Sequence, residues 1–397
     1  METSRWQESN RIRRLPPYVF ARVNRIKMEA RWAGRDVIDL GMGNPDQPTP
    51  GHIVAKLCES ATDPKTHRYS LSRGIPHLRR AVSEWYDRRF GVSLDPETEI
   101  CATLGSKEGL CHMMLAILDE GDTVVVPNPT YPSHLYSVVI AGGNLCSVPF
   151  LEGGDFVARL SRMVEGMYPK PKLLVVSYPH NPTTVVADLA LFEEIADFAR
   201  FHGMMVLHDL AYSEITFDGY KAPSFLQVKG AKDFAVEMYS MSKTYSMAGW
   251  RVGFCVGNPE IVGALMRLKS YYDYGIFAPV QIAAIVALRG PQDCVRQIAD
   301  TYQIRRDILV EGLNRVGWPV EKPKGTMYVW AKIPQPYADM GSMDFSVMLL
   351  KHGDVAVSPG LGFGEHGEGY VRFALVENEH RIKQAVKGIK RAFEAGG

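Results

Sequence analysis

The segment best suited to covalent chemistry is Ser240-Met241-Ser242-Lys243-Thr244-Tyr245-Ser246-Met247-Ala248-Gly249-Trp250-Arg251, an apolar stretch running into a hydroxyl-rich loop with a lysine and then an arginine. A lysine at the rim of a buried strand loses its proton through desolvation and becomes a nucleophilic amine. Ser240, Ser242 and the guanidinium of Arg251 form a set able to hold a dianion beside that amine. A Schiff-base lysine next to a phosphate cradle is what pyridoxal phosphate requires. Read alone, Ser-x-Ser-Lys is a common surface-loop sequence, so the rest of the chain has to decide.

Asp209 ends the apolar run Met204-Met205-Val206-Leu207-His208-Asp209, at the strand end where open α/β sheets bind ligands. A carboxylate there can keep a pyridine nitrogen protonated. Three residues on, Tyr212 can reach a phenolic oxygen. Val175-Val176-Ser177-Tyr178-Pro179-His180-Asn181-Pro182 is a second apolar run ending in a turn, with the Asn181 amide as a donor. Asn-Pro by itself marks only a loop. Leu104-Gly105-Ser106-Lys107-Glu108 opens a helical period of Met113, Met114, Ile117 and Leu118, and free amides at such a helix start favour phosphate. Arg372 lies in the alternating strand Gly369-Tyr370-Val371-Arg372-Phe373-Ala374-Leu375, where a planar fork can hold a carboxylate bidentately.

In order and interval these residues resemble the fold-type I pyridoxal phosphate aminotransferases of class I/II, over residues 14–394. Asn181 precedes Asp209 by 28 residues, Tyr212 follows it by 3, and Arg251 follows Lys243 by 8, as in that family. The resemblance implies an α/β fold with a mainly parallel seven-stranded sheet in a large domain (46–290). It also implies a smaller α+β domain (14–45 and 291–397) and a flexible segment at 1–13. It implies pyridoxal 5′-phosphate as cofactor, with Lys243, Asp209 and Tyr212 catalytic. Gly105, Ser106, Lys107, Ser240, Ser242 and Arg251 are expected around the phosphate, Asn181 and Tyr212 on the phenolic oxygen, and Tyr131 stacked on the ring. His134 is expected behind Asp209. Arg372 and Gly43, with Asn181, are expected to take the substrate's α-carboxylate side. Tyr69 matches a tyrosine reaching the phosphate of a neighbouring subunit, which implies a homodimer with shared active sites.

Four blocks, at residues 14–20, 70–76, 269–275 and 358–364, look like the bacterial alanine (glutamate–pyruvate) branch of the family. The implied reaction exchanges L-alanine and 2-oxoglutarate for pyruvate and L-glutamate by a ping-pong route. Where aspartate aminotransferases present an arginine to a side-chain carboxylate, this chain has Asp273-Tyr274-Gly275. A pocket for a small side chain, with Lys107 or Tyr18 helping when glutamate is bound, fits better. Branched-chain amino acids, methionine, LL-diaminopimelate and aspartate stay open as donors, because one methylene is worth only about 1–3 kcal/mol of discrimination. A β-lyase using the same residues also stays open. A transcription regulator with an aminotransferase-like domain would need a DNA-binding extension, and the resemblance begins near residue 14.

With 397 residues, 46% of them hydrophobic, the chain can bury a core for two domains. A net charge of +1 without a long basic run gives no footprint for nucleic acid. No apolar run reaches the roughly 20 residues needed to cross a bilayer. The polar start lacks a secretory h-region. The six cysteines are scattered without CxxC pairing, which suits a reducing cytoplasm and no structural metal.

Apolar runs at 123–126, 145–149, 173–176, 205–208, 236–241 and 253–256 read as strands of a mainly parallel sheet. Between the third and fourth, Asp188 caps a helix that stops near Gly203, with Leu189, Phe192, Ala196 and Ala199 predicted on its sheet-facing side. A long helix is expected over 291–316, and further strands over 327–333 and 370–375.

Overall fold

The computed structural model describes residues 7–17, 19–150 and 155–396. Tyr18 therefore lies outside the described residues. In chain order the strands are β1 (Ile38–Asp39), β2 (Ile100–Thr103), β3 (Thr123–Asn128), β4 (Asn144–Pro149), β5 (Leu173–Ser177), β6 (Met205–Asp209), β7 (Ala235–Ser240), β8 (Gly253–Gly257), β9 (Tyr328–Lys332), β10 (Val355–Ala356), β11 (Ser358–Pro359) and β12 (Tyr370–Ala374).

Seven strands form one sheet in the order β2-β8-β7-β6-β5-β3-β4. The pairs β3–β4, β3–β5, β5–β6 and β6–β7 are parallel, and β8 runs antiparallel to both β7 and β2. Its central strands are buried on both faces, which is why β3 and β5 read as continuous Val/Leu runs. Alternation still sorts the residues. Val124 and Val126 pack with Leu110, Met113 and Leu135 on one side, while Val125 packs with Phe156, Leu160 and Phe192 on the other. The result is an α/β sandwich with helices on both faces of a mixed, mainly parallel sheet.

A separate apolar cluster gathers β9 and β12 with the long helix Asp293–Arg315 and the terminal helix Glu379–Gly396, around Trp318, Phe345 and Phe373. Here β12 lies between β11 and β9, antiparallel to both.

The helix Leu189–His202 starts where expected: Asp188 Oδ1 accepts the Leu191 amide at 2.9 Å, and Gly203 takes φ 65° at its end. Phe192, Ala196 and Ala199 are buried, but Leu189 is exposed. It is the first helical residue, and the inward stripe begins a turn later with Phe192 and Ile195. Met241 does not extend β7. Ser240 Oγ accepts the Ser242 amide at 3.2 Å and caps a one-turn helix, Met241–Thr244, which ends the strand one residue early. The edge strand β2 and the short strands β1, β10 and β11 were not foreseen.

One buried ion network braces the helix Ser106–Ile117. Lys269, fully buried, donates to Glu108 Oε1 at 2.9 Å and Asp273 Oδ2 at 2.8 Å. Glu108 Oε2 accepts the Leu104 amide and Asp273 Oδ1 the Gly275 amide, at 2.9 and 2.6 Å. Burial acts to lower the Lys269 pKa, but the bonds and charges of Asp273 and Glu108 outweigh it and leave it raised. Lys269→Met is expected to strand two carboxylates and cost about 3 kcal/mol or more of stability, measurable by chemical denaturation. A loss below about 0.5 kcal/mol, the size of an unremarkable surface change, would refute the bracing role.

Candidate active site

Parallel strands in one sheet end on one edge, and two of them end in candidate residues, Asp209 on β6 and Ser240 on β7, while β5 ends at Ser177, just before Asn181. In front of that edge lies a cavity of about 680 Å³, a size suited to a cofactor with a small substrate. Ser106, Lys107, Tyr131, Asn181, Asp209, Tyr212, Ser240, Ser242, Lys243, Arg251, Arg372 and Gly43 all line it. Spacings of tens to hundreds of residues in sequence thus converge on one space.

At one end the helix Ser106–Ile117 presents its N-terminus, and its N-cap Gly105 supplies no side-chain bond to the first amides. Gly105 takes φ +80°, and a Cβ there would meet the Arg251 guanidinium, with Cζ at 2.9 Å. Arg251 itself sits at φ 57°, an uncommon conformation for a residue with a side chain. Its Nη1 donates to Ala248 O at 2.8 Å and its Nη2 to Leu104 O at 3.3 Å. Helix amides, the Ser240 and Ser242 hydroxyls and this guanidinium make a cradle suited to a dianion.

Near the middle, Asp209 is held from behind. His134 Nε2 donates to Asp209 Oδ2 at 2.9 Å, and the Thr130 hydroxyl lies 2.8 Å from His134 Nδ1. Asp209 Oδ1 is buried and has no partner among the described residues. A buried carboxylate oxygen without a donor is costly, and a protonated ring nitrogen is the kind of donor it lacks. Lys243 Nζ donates to Gly43 O at 3.2 Å. Burial lowers the pKa of this lysine; Arg372 and Arg251 push the same way, and Tyr328 opposes them. Tyr131 borders the cavity with its ring edge-on to His134, centroids 5.6 Å apart.

At the other end Arg372 is buried. Nη1 donates to Asn181 Oδ1 at 2.7 Å and Nη2 to Gly41 O at 3.2 Å. Its guanidinium lies 4.0 Å from the Tyr328 ring centroid and 4.5 Å from that of Phe363. Gly41 is fixed in turn: Asp39 Oδ1 accepts its amide at 3.1 Å, and Lys27 Nζ holds Asp39 Oδ2 at 2.7 Å.

Tyr69 is not in this cavity. It is 85% exposed and packs on Tyr274, ring centroids 4.4 Å apart. Asp273, in the segment aligned with the distal-carboxylate arginine, is turned inward to Lys269. Sequence reasoning did not single out Tyr328, Phe363, Lys27 or Asp39, all of which line the cavity. Tyr328 had a usable signal, because its hydroxyl stands at the head of the apolar run Tyr328-Val329-Trp330-Ala331.

The model of the family "Aminotransferase class I and II" matches residues 35–389. The glutamate-pyruvate aminotransferase AlaC of Escherichia coli K12 is 57% identical over 98% of this chain and 94% of its own length. The LL-diaminopimelate aminotransferase of Moorella thermoacetica is 46% identical over 97% of this chain and 98% of its own. A solved Thermus thermophilus aspartate aminotransferase double mutant superposes with a TM-score of 0.91 at 29% identity, covering 98% of this chain and 100% of that one.

Proposed function

The chain belongs to the class I and II aminotransferases, pyridoxal phosphate enzymes, and within that family we propose that it exchanges L-alanine and 2-oxoglutarate for pyruvate and L-glutamate. The observation that carries the choice of substrate is the 57% identity, nearly end to end, to a relative named for glutamate and pyruvate. LL-diaminopimelate is the second candidate donor, favoured by the 46% identical relative.

The cavity fits the cofactor on its own chemistry: a dianion cradle at one end, an unpartnered carboxylate oxygen in the middle, and a lysine whose ammonium form is disfavoured. Bound there, pyridoxal phosphate supplies an aldehyde for amine exchange and an electron sink for the bond broken at Cα. In this reading the cradle of Ser106, Lys107, Ser240, Ser242 and Arg251 fixes the phosphate, and Gly105 leaves room for the guanidinium. Asp209, oriented by His134, holds the proton of the ring nitrogen. Asn181 and Tyr212 donate to the phenolic oxygen, and Tyr131 covers the ring face. Arg372 takes the α-carboxylate, with Gly43 on the same side. Lys243 would hold the cofactor, and its desolvated amine would be the base placed to move the substrate Cα proton.

Lys107 is exposed at the rim, where it can meet the distal carboxylate of glutamate; Tyr18, outside the described residues, is proposed for the same role. A homodimer is part of the reading, because Tyr69, Leu71, Tyr271, Tyr274 and Phe277 make an exposed apolar and aromatic surface of the kind that marks an interface. Tyr69 would then face the partner's phosphate. The cytoplasm is the proposed compartment, since all six cysteines are unpaired. No helix among the described residues is long and apolar enough to cross a membrane.

The test is a single-turnover absorbance series on the cofactor-loaded enzyme with alanine, glutamate, aspartate, methionine, leucine and LL-diaminopimelate. Fast conversion by alanine and glutamate alone is expected. Fast conversion by LL-diaminopimelate with none by alanine would replace the substrate, and steady keto-acid formation from cystathionine without an acceptor would indicate a β-lyase.

A further inference from the structure

Tyr328 opens β9, is buried, and lines the cavity between the two ends of the site. Its hydroxyl lies 3.0 Å from the Tyr212 hydroxyl, and its ring faces the Arg372 guanidinium at 4.0 Å, close enough for cation–π attraction. The ring also fills the space over Gly43, where a Cβ would come within 2.7 Å of Tyr328 Cε1. The backbone before it is fixed in an unusual way. Thr326 is β-branched yet takes φ 73°, a conformation that such residues avoid unless their surroundings impose it. Its amide donates to Ile215 O at 2.8 Å, and its Oγ1 accepts the Tyr328 amide at 3.2 Å.

A phenol has one proton to give. If Tyr212 gave its proton to Tyr328, none would remain for a cofactor oxygen, so the direction of this bond matters. Burial acts to raise the Tyr328 pKa, but the Arg372 guanidinium 4.0 Å from its ring centroid and the nearby Lys243 amine favour its anion, and the net direction is down; Tyr212 is raised, chiefly by burial. The more acidic phenol donates, which leaves the Tyr212 proton free.

We propose that Tyr328 is a positioning residue with two separable halves: its hydroxyl donates to Tyr212 and so directs the Tyr212 proton to the cofactor's phenolic oxygen, while its ring holds Arg372 in place for the substrate carboxylate. This rests on the cofactor and carboxylate sites proposed above. The visible absorbance of the bound cofactor follows the proton shared by the phenolic oxygen and the lysine-derived nitrogen. A directed donor on that oxygen favours loss of the proton, so removing the direction moves the pH midpoint upward.

The experiment compares cofactor-loaded native enzyme, Tyr328→Phe and Tyr328→Leu by spectrophotometric pH titration and by steady-state kinetics with alanine. Tyr328→Phe is expected to raise the midpoint by about one pH unit, with KM within about twofold because the ring over Arg372 is kept. Tyr328→Leu is expected to show the same midpoint shift and, in addition, a roughly tenfold higher KM from the lost ring–guanidinium contact. An unchanged midpoint in Tyr328→Phe would overturn the hydroxyl half, and equal KM values in the two variants would overturn the ring half. Native enzyme that binds the cofactor without a pH-dependent visible band would instead sink the underlying site assignment, and the proposal with it.

Discussion

Lys243→Ala should lower transamination of every donor by about 10⁴-fold or more, since on the proposed reading it removes the attachment point and the proton-transferring base together. The cradle of Ser240, Ser242, Arg251 and the helix N-terminus stays intact in this variant, so cofactor should still copurify and resist brief dialysis. The variant would then hold cofactor that cannot turn over, read by its ultraviolet absorbance and by stopped-flow mixing with alanine. Residual activity above about one per cent of native would exclude Lys243 from the role, because a positioned general base alone contributes 10²–10⁴-fold.

The same lysine has a stability consequence of opposite sign. Its pKa is lowered by burial in the folded protein, so the folded state binds the proton less tightly than the unfolded chain does. That mismatch destabilises the protein at neutral pH and disappears as pH rises past the unfolded value of about 10.4. Cofactor-free Lys243→Met, which keeps the buried stem, is therefore expected to be more stable than cofactor-free native protein at pH 7, with the gain fading toward pH 10.5. Equal denaturation midpoints at pH 7 would mean that the amine is not desolvated. This is the usual direction of conflict between an active site and stability.

Those parts of the site that sit at strand ends could be read from the sequence. Asp209 closes an apolar run, and in a parallel sheet the run itself fixes where its last residue points; the end of β7 at Ser240 was legible to within one residue. The cap of Asp188 and the stop at Gly203 were legible for a similar reason, because their effects are local. What escaped depends on contacts between distant segments. The Tyr328 side chain meets Gly43, Tyr212 and Arg372, at 285, 116 and 44 residues' separation. The edge strand Ile100–Thr103 is four residues long and, like the interior strands, fully buried, so neither length nor alternation announced it. Asp273 reads in the sequence only as a replacement for a substrate-facing arginine, whereas the buried Lys269 draws it inward at 2.8 Å. Glu237 and His208 were hidden inside apolar runs; they pair at 2.7 Å beneath the sheet, and no periodicity reveals a buried pair of this kind.

Arg372→Ala is the second large effect, and its pattern across substrates matters more than its size. A fork that grips a carboxylate through two charge-assisted bonds, each worth roughly 1.5–3 kcal/mol, should cost about 10²–10⁴-fold in kcat/KM when removed. Arg372→Lys keeps the charge without the planar pair of donors and should recover only part of that loss. Every amino acid carries the α-carboxylate, so the loss should be the same for alanine and glutamate to within about threefold, and the pH titration of the bound cofactor should persist. If instead glutamate lost far more than alanine, Arg372 would be reading the distal carboxylate. The α-carboxylate would then have to be held elsewhere, and the small-side-chain pocket inferred for this chain would be turned end for end.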